Sequence, residues 1–282
     1  MLIEEPEAAD TIISVIIPAY NHERYIGECI QSIVDQTFEK LELVIVNDGS
    51  TDQTHEKILS LLEDHKDRFK KLNYVNREHR GTGATLNELI SLAGSEYIFQ
   101  IASDDVAIPH AINTLFSFLV MNSEYALVVG DNKIINSNSE LVYWDLNRNN
   151  IMDYSKAIYR TFGEFLKTTR PDAYQDPDTF GSLSTLLKGN YIPNGKMFRR
   201  SALEEVGGYR EDVLEDWYIN IMLAKRYKLK YIDKPLFYYR WHENNSIKNT
   251  DYINRLMANM ETFLADERLK ILKRESRNPG IT

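Results

Sequence analysis

The chain has 282 residues, 43% hydrophobic and 27% charged, the balance of a folded globular protein and not of a disordered or fibrous one. That length serves one large domain, with or without a substantial appendage. A formal charge of −9 and a pI near 5.3 speak against a nucleic-acid reader, which needs a basic face, and suit acidic clusters that hold a metal.

Ile12 to Ile17 is a β-branched run stopped by Pro18 and reads as a buried strand. Ile26, Ile30 and Ile33 then recur at helical spacing, which predicts an amphipathic helix over 22–35. Cys29, the only cysteine, falls on that apolar stripe and reads as a buried filler; alone it makes neither an intramolecular disulfide nor a Cys-based zinc site. Leu41 to Val46 predicts a second strand, followed by the turn and cap cluster Asn47, Asp48, Gly49, Ser50, Thr51 and Asp52. Ile58, Leu59 and Leu62 mark a second helix, and Leu72 to Val75 a third strand.

Leu86, Leu89, Ile90 and Ala93 form another helical stripe, closed by Gly94 as the expected C-cap. Tyr97 to Ile101 reads as a fourth strand running into Ser103, Asp104 and Asp105. A helix with Ile112, Leu115, Phe116 and Leu119 inward starts near Pro109, and Ala126 to Gly130 reads as a fifth strand. Such alternation predicts a doubly wound, mostly parallel α/β sheet with helices on both faces. Ligands of these sheets sit beyond the carboxyl ends of the strands. Tyr20, Asn21, Asp48, Asp104 and Asp105 therefore share one rim.

Past about Asp131 the alternation gives way to Asn-rich turns and to helices and loops over 154–188, an expected acceptor-side elaboration. Order returns at Lys196 to Arg200, with a helix from about Ser201, a Gly207, Gly208 turn, and a C-terminal helix beyond Asn249 carrying Ile253, Leu256 and Met257. The expected divisions are 1–130, a nucleotide-sugar half; 131–248, an acceptor and catalytic-base half of the same domain; and 249–282, a helix with a basic tail.

Asp104 and Asp105 are adjacent hard-oxygen donors of the kind magnesium or manganese prefers, and equally a helix N-cap. Asp48 at a strand end can accept hydrogen bonds from a base or ribose, or cap the next turn. Glu215 and Asp216 open a helix whose Trp217, Ile221 and Ala224 face inward; they suit a general base, and they also suit the helix dipole. His242 stands in Tyr239-Arg240-Trp241-His242, while His22, His55, His65, His79 and His110 show no paired zinc spacing. Gly81-Thr82-Gly83 is not a dinucleotide fingerprint, because Leu86 occupies the third glycine position and the segment follows the third strand.

The ordered set Ser14-Val15-Ile16-Ile17-Pro18-Ala19-Tyr20-Asn21, Ser32-Ile33-Val34-Asp35-Gln36-Thr37, Asn47-Asp48-Gly49-Ser50-Thr51-Asp52, Gly81 with Asn87, Ser103-Asp104-Asp105, Gly207-Gly208-Tyr209, Glu215-Asp216-Trp217 and Arg240-Trp241-His242 resembles glycosyltransferase family 2, inverting enzymes of GT-A fold. The resemblance runs from Ser14 to about Ser246. It implies a nucleoside-diphosphate sugar donor, usually UDP-linked, and Mn2+ or Mg2+ as cofactor. Pro18, Tyr20, Asn21, Asp48 and Gly81 would hold the donor, with Asp48 reading the base. Asp104 would contact ribose, sugar or metal, Asp105 would ligate the metal, and Arg240 and His242 would lie near the diphosphate or metal. Asp216 would be the base, with Glu215 beside it. Many members carry Asp-x-Asp-Asp, and here Ala102 replaces the first Asp.

Two rival readings are a sugar-phosphate nucleotidylyltransferase, which lacks its Gly- and Arg-rich loop here, and a non-catalytic nucleotide-sugar-binding protein. No apolar run reaches membrane-spanning length, and Met1 to Asp10 are acidic where a signal peptide is basic. The expected location is the cytoplasm. Lys270, Lys273, Arg274 and Arg277 offer peripheral contact with an anionic inner membrane face, where lipid-linked glycan acceptors lie.

Overall fold

The computed structural model describes residues 10–174 and 179–277, the side chains of 274–277 excepted, so Arg274 and Arg277 of the basic tail fall outside the described side chains. The first half alternates as its pattern requires: β1 (Ile13–Ala19), α1 (Ile26–Val34), β2 (Leu41–Asp48), α2 (Thr54–His65), β3 (Lys71–Arg77), α3 (Thr82–Leu92) and β4 (Tyr97–Gln100). These strands pair in parallel in the order β3-β2-β1-β4. β2 is buried along its whole length because both its faces are covered. Ile16, Val44, Val46 and Ile98 enter one core layer and Val15, Ile17, Leu43, Ile45 and Phe99 the other, the two-residue alternation of a strand. Cys29 is fully buried in the second layer, as its place on the apolar stripe of α1 requires.

The second half departs from the simple alternation. It runs β5 (Val106–Ala107), α4 (Ala111–Met121), β6 (Tyr125–Ile135), β7 (Leu141–Trp144), β8 (Asn150–Ile151), α5 (Phe162–Thr169), α6 (Pro171–Tyr174), α7 (Leu183–Leu186), β9 (Lys196–Arg199), α8 (Arg200–Glu205), α9 (Glu215–Ala224), β10 (Lys228–Arg240) and α10 (Thr250–Arg277). The predicted fifth strand, here β6, does not extend the parallel sheet directly. β9 lies between β4 and β6 and pairs antiparallel with both, while β10 runs parallel to β6. The strand β10 has no counterpart in the sequence pattern, since Lys228, Lys230, Asp233, Lys234 and Pro235 break its alternation and its register shifts around Pro235.

Two boundaries also move. β6 crosses the expected division at 130 without interruption. Gly94 is not a left-handed cap: Ala93 ends α3 in extended conformation, and the Gly94 N–H donates to the Glu42 carboxylate at 2.7 Å. Met260 and Leu264 of α10 are buried in the same layer as α3 and α9, which ties the C-terminal helix to the sheet. No helix among the described residues is long and apolar enough to cross a membrane.

Candidate functional site

The carboxyl ends of β1 and β2 are latched together by side chains of the turns that follow them. Asn21, in the left-handed region at φ 51°, donates its N–H to Ser50 Oγ at 2.9 Å and accepts the Thr51 N–H on Oδ1 at 2.8 Å. The His22 N–H reaches Thr54 Oγ1 at 2.9 Å. Asn21 thus holds the loop through its backbone N–H and its Oδ1, while Pro18 lies half-buried within β1 in register with Val46, one residue before the strand ends at Ala19.

Asp48, expected to read a base, is buried and surrounded by protein donors. The Arg80 and Gly81 N–H groups bind its two oxygens at 2.8 and 2.9 Å, Arg77 pairs with it, and His79 Nδ1 lies 3.0 Å from Oδ2. The geometry makes Asp48 the organiser of the 77–81 loop. It also brings in Gly81, whose φ of 94° is a conformation that glycine adopts without strain. The same loop sets the His79 ring against Tyr20, 4.5 Å between centroids, with Tyr20 43% exposed. This aromatic pair stays open at the rim, beside the loop that Asp48 organises.

Beyond β4, Asp104 Oδ2 stands 3.2 Å from His242 Nε2 and 3.8 Å from His22 Nε2, and the three side chains converge as a potential cation site. Burial pushes the Asp104 carboxyl up, but the His242 hydrogen bond and the His22 and His242 charges outweigh it and hold the group below its ordinary value. Burial, with the Asp104 charge beside it, pushes Asp105 well above the carboxylate range. Asp105 is not in the cluster: its Oδ1 accepts the Arg240 backbone N–H at 2.9 Å. In place of the expected Asp105, the structure brings His22 to Asp104 and His242. No histidine spacing announces His22, whose partner lies at the far end of the chain.

Arg240, expected near the diphosphate, is fully buried. Its guanidinium donates to the Asp104 carbonyl at 2.7 Å, Ser139 Oγ at 2.8 Å and Glu28 Oε2 at 2.9 Å, and lies over the Tyr25 ring. Its side chain therefore braces the Asp104 backbone, and its donors are spent on the protein.

The donor set suits a divalent ion. His22 Nδ1 is hydrogen-bonded to Ser103 Oγ at 2.7 Å, which leaves Nε2 toward Asp104 for a metal. His242 would carry its proton on Nδ1, and the long 3.3 Å contact from the Asn244 N–H is the one to yield. Two imidazoles and one carboxylate fit Mn2+ better than Mg2+, which favours oxygen donors.

The remaining carboxylates come from α9. Lys196 of β9 is fully buried in register with Gln100 at the end of β4, and its Nζ lies 2.7 Å from Asp216 Oδ1. The contact is an ion pair outside hydrogen-bond alignment. Glu215, half-buried beside it, is pushed up to about 7 by burial and then by the Asp216 charge. Asn87 of α3 positions this helix start: its Oδ1 accepts the Tyr209 N–H at 2.8 Å and its Nδ2 donates to the Tyr209 carbonyl at 2.9 Å. Gly208 has φ 71°, and a Cβ there would stand 2.6 Å from Asn87 Oδ1, so any larger residue at 208 is strained and must displace Asn87. Lys196 carried no signal in sequence, being one of two charged residues in a four-residue strand with no recognisable motif. A cavity of about 420 Å³ between α9 and α10 is lined by Arg210, Tyr218, Lys225 and Phe263 among others, and none of the expected site residues borders it.

The sequence profile of "Glycosyl transferase family 2" matches residues 14–207. Glycosyltransferase GlyA of Streptococcus pneumoniae is 26% identical over 235 residues, 82% of this chain and 31% of that protein. Chondroitin synthase of Pasteurella multocida is 26% identical over 243 residues, 85% of this chain and 22% of that protein. The chain therefore spans under a third of either relative. Among solved structures, S. aureus TarS 1–349 in complex with UDP-GlcNAc superposes with a TM-score of 0.61 at 19% identity, covering 85% of this chain and 61% of that one. The Pyrobaculum calidifontis mannosyltransferase in complex with GDP-Man and Mn2+ gives 0.61 at 18%, covering 89% and 64%.

Proposed function

Because the chain belongs to glycosyltransferase family 2, we propose that it transfers a sugar, with inversion, from a nucleoside-diphosphate donor to an acceptor hydroxyl, the donor being UDP-linked. The observation that carries this reading is that the His22, Asp104, His242 cluster and the Lys196-held Asp216 both follow from the β4 end of one sheet. TarS holding UDP-GlcNAc and the mannosyltransferase holding GDP-Man and Mn2+ support the donor class and the metal.

In this reading Asp216 takes the acceptor hydroxyl proton as the oxygen attacks the anomeric carbon and the bond to the diphosphate oxygen breaks. Lys196 keeps Asp216 in place from below. His22, Asp104 and His242 would hold Mn2+, which supplies positive charge for the departing diphosphate when bound. Arg240 and Asp105 keep the Asp104 backbone fixed, and Tyr20 with His79 offers a face to the base. Asp48 and Asn21 act by shaping the loops around the donor, Gly81 and Pro18 by their backbone.

The acceptor is a surface polysaccharide or lipid-linked glycan in this proposal, supported by the chondroitin synthase relative. A cytoplasmic location with peripheral membrane contact through the basic end of α10 belongs to the same reading; there Lys270 is already paired with Glu267 at 2.9 Å. Release of nucleotide from a panel of UDP- and GDP-sugars with Mn2+, with and without acceptor glycans, tests it. No release from any donor, with donor binding intact, would instead mark a non-catalytic nucleotide-sugar-binding protein. Pyrophosphate-dependent formation of a nucleotide sugar would mark a nucleotidylyltransferase.

A further inference from the structure

Trp241 stands one residue from the cation cluster and faces away from it. Arg240 and His242 on either side turn to Glu28 and Asp104, whereas the Trp241 ring packs 5.2 Å from Trp144 of β7. Two cations converge on this indole. Arg148 Cζ lies 5.2 Å from its centroid and 5.3 Å from that of Phe165, and Lys248 Nζ lies 4.1 Å from the indole.

Among the described residues neither cation has a carboxylate within ion-pair distance. The acid nearest to Arg148 in sequence is spent locally: Asp145 accepts the Asn147 and Asn149 N–H groups at 2.8 and 2.9 Å and the Asn149 amide at 2.9 Å. Arg148 itself sits in the left-handed region at φ 62°, a conformation uncommon for a side chain of this size. Lys248 is lowered first by burial, opposed by Glu243 and reinforced by the Arg148 charge, so the two cations sense each other. Stacking on an indole favours each cation singly but does nothing for their mutual repulsion. A bound anion relieves it.

We infer that Arg148, Lys248 and Trp241 form an oxyanion site that holds a carboxylate or phosphate carried by the acceptor. The guanidinium presents a planar fork suited to either group and the ammonium a point charge, while the indole edge offers packing to a sugar ring. Trp241 turns to Trp144 while His242 turns to Asp104, which sets the site apart from the donor diphosphate expected at that cluster. The acceptor assignment rests on the transferase reading; the anion site itself does not.

The test uses the indole N–H signals of the three tryptophans in the full chain, with the Trp241 signal identified by Trp241→Phe. Inorganic phosphate and glucuronate are titrated without metal, and UDP is titrated separately with Mn2+, against the wild type and the Arg148→Gln, Lys248→Gln pair variant. Expected are a shift of the Trp241 signal with phosphate or glucuronate, a loss of affinity of about tenfold or more in the pair variant, and unchanged UDP affinity. A parallel loss of UDP affinity would overturn the acceptor assignment and give the site to the donor. No shift with either anion would overturn the site, leaving the cations as braces for Trp241. Failure of the wild type to bind UDP would count against the transferase reading alone, because the phosphate result stands without it.

Discussion

Lys196 Nζ and Asp216 Oδ1 lie 2.7 Å apart, and the two members of the pair are buried to very different degrees: the lysine side chain is 1% exposed and the aspartate 30%. The ammonium supports the carboxylate from within the sheet while the carboxylate opens toward solvent. Removing one partner is therefore not equivalent to removing the other.

Asp216→Ala leaves an ammonium buried without its counter-charge and is expected to destabilise the fold by about 1–3 kcal/mol. Lys196→Met leaves a carboxylate that water can reach and is expected to cost less. Thermal unfolding of both variants checks this, and a smaller loss for Asp216→Ala than for Lys196→Met would contradict it.

Asp216→Asn keeps the shape and an acceptor for Lys196, so folding and donor binding should persist. Turnover is expected to fall by roughly 10²- to 10⁴-fold, the range of a lost general base. Single-turnover rates beside UDP-sugar affinity separate the two effects, and undiminished turnover would remove Asp216 from the chemistry.

Glu215 gives the site a pH dependence with opposite signs for rate and stability. Its carboxyl is raised from 4.5 to about 7, by burial and then by Asp216. The folded state therefore holds a proton between those values that the unfolded state has lost. This contribution to stability is fully present below 4.5 and is lost as pH rises through about 7. Ionisation of Glu215 also places a second negative charge beside the proposed base, which favours withdrawal of the acceptor proton there, so turnover should climb through the same window. In Glu215→Gln the acid limb near neutrality should disappear and the unfolding temperature should fall less between about pH 3.5 and about pH 8 (one unit outside the window on either side) than in the wild type.

Chelation is expected to abolish turnover and added Mn2+ to restore it better than Mg2+, given the two imidazoles at the cluster. His22→Ala should raise the Mn2+ concentration needed for half-maximal rate by about tenfold or more. Direct Mn2+ binding followed by electron paramagnetic resonance reports the same loss without reference to turnover. Equal Mn2+ affinity in wild type and variant would exclude His22 as a ligand.

Gly208→Ala tests how α9 is positioned. The added Cβ meets Asn87 Oδ1 at 2.6 Å in a left-handed turn, and an expected cost of about 1–3 kcal/mol should appear as a lowered unfolding temperature. Asn87→Ala should release part of that strain when combined with it, because the clash is removed while the backbone conformation remains.

What the sequence by itself determined is the local and near-local part of the molecule. Ile12 to Ile17, Leu41 to Val46 and the stripes on α1, α2 and α3 carry their period in consecutive residues, and parallel strands joined by helices place Tyr20, Asp48 and Asp104 on one rim. Tertiary structure alone decided which side chains meet there. β9 enters between β4 and β6 from far along the chain and carries Lys196 to Asp216. The irregular β10 delivers Arg240 to the Asp104 backbone and His242 to its carboxylate, where His22 joins them. Periodicity reports burial within a segment, whereas a cation cluster or a buried ion pair depends on pairing between segments, which leaves no period to read.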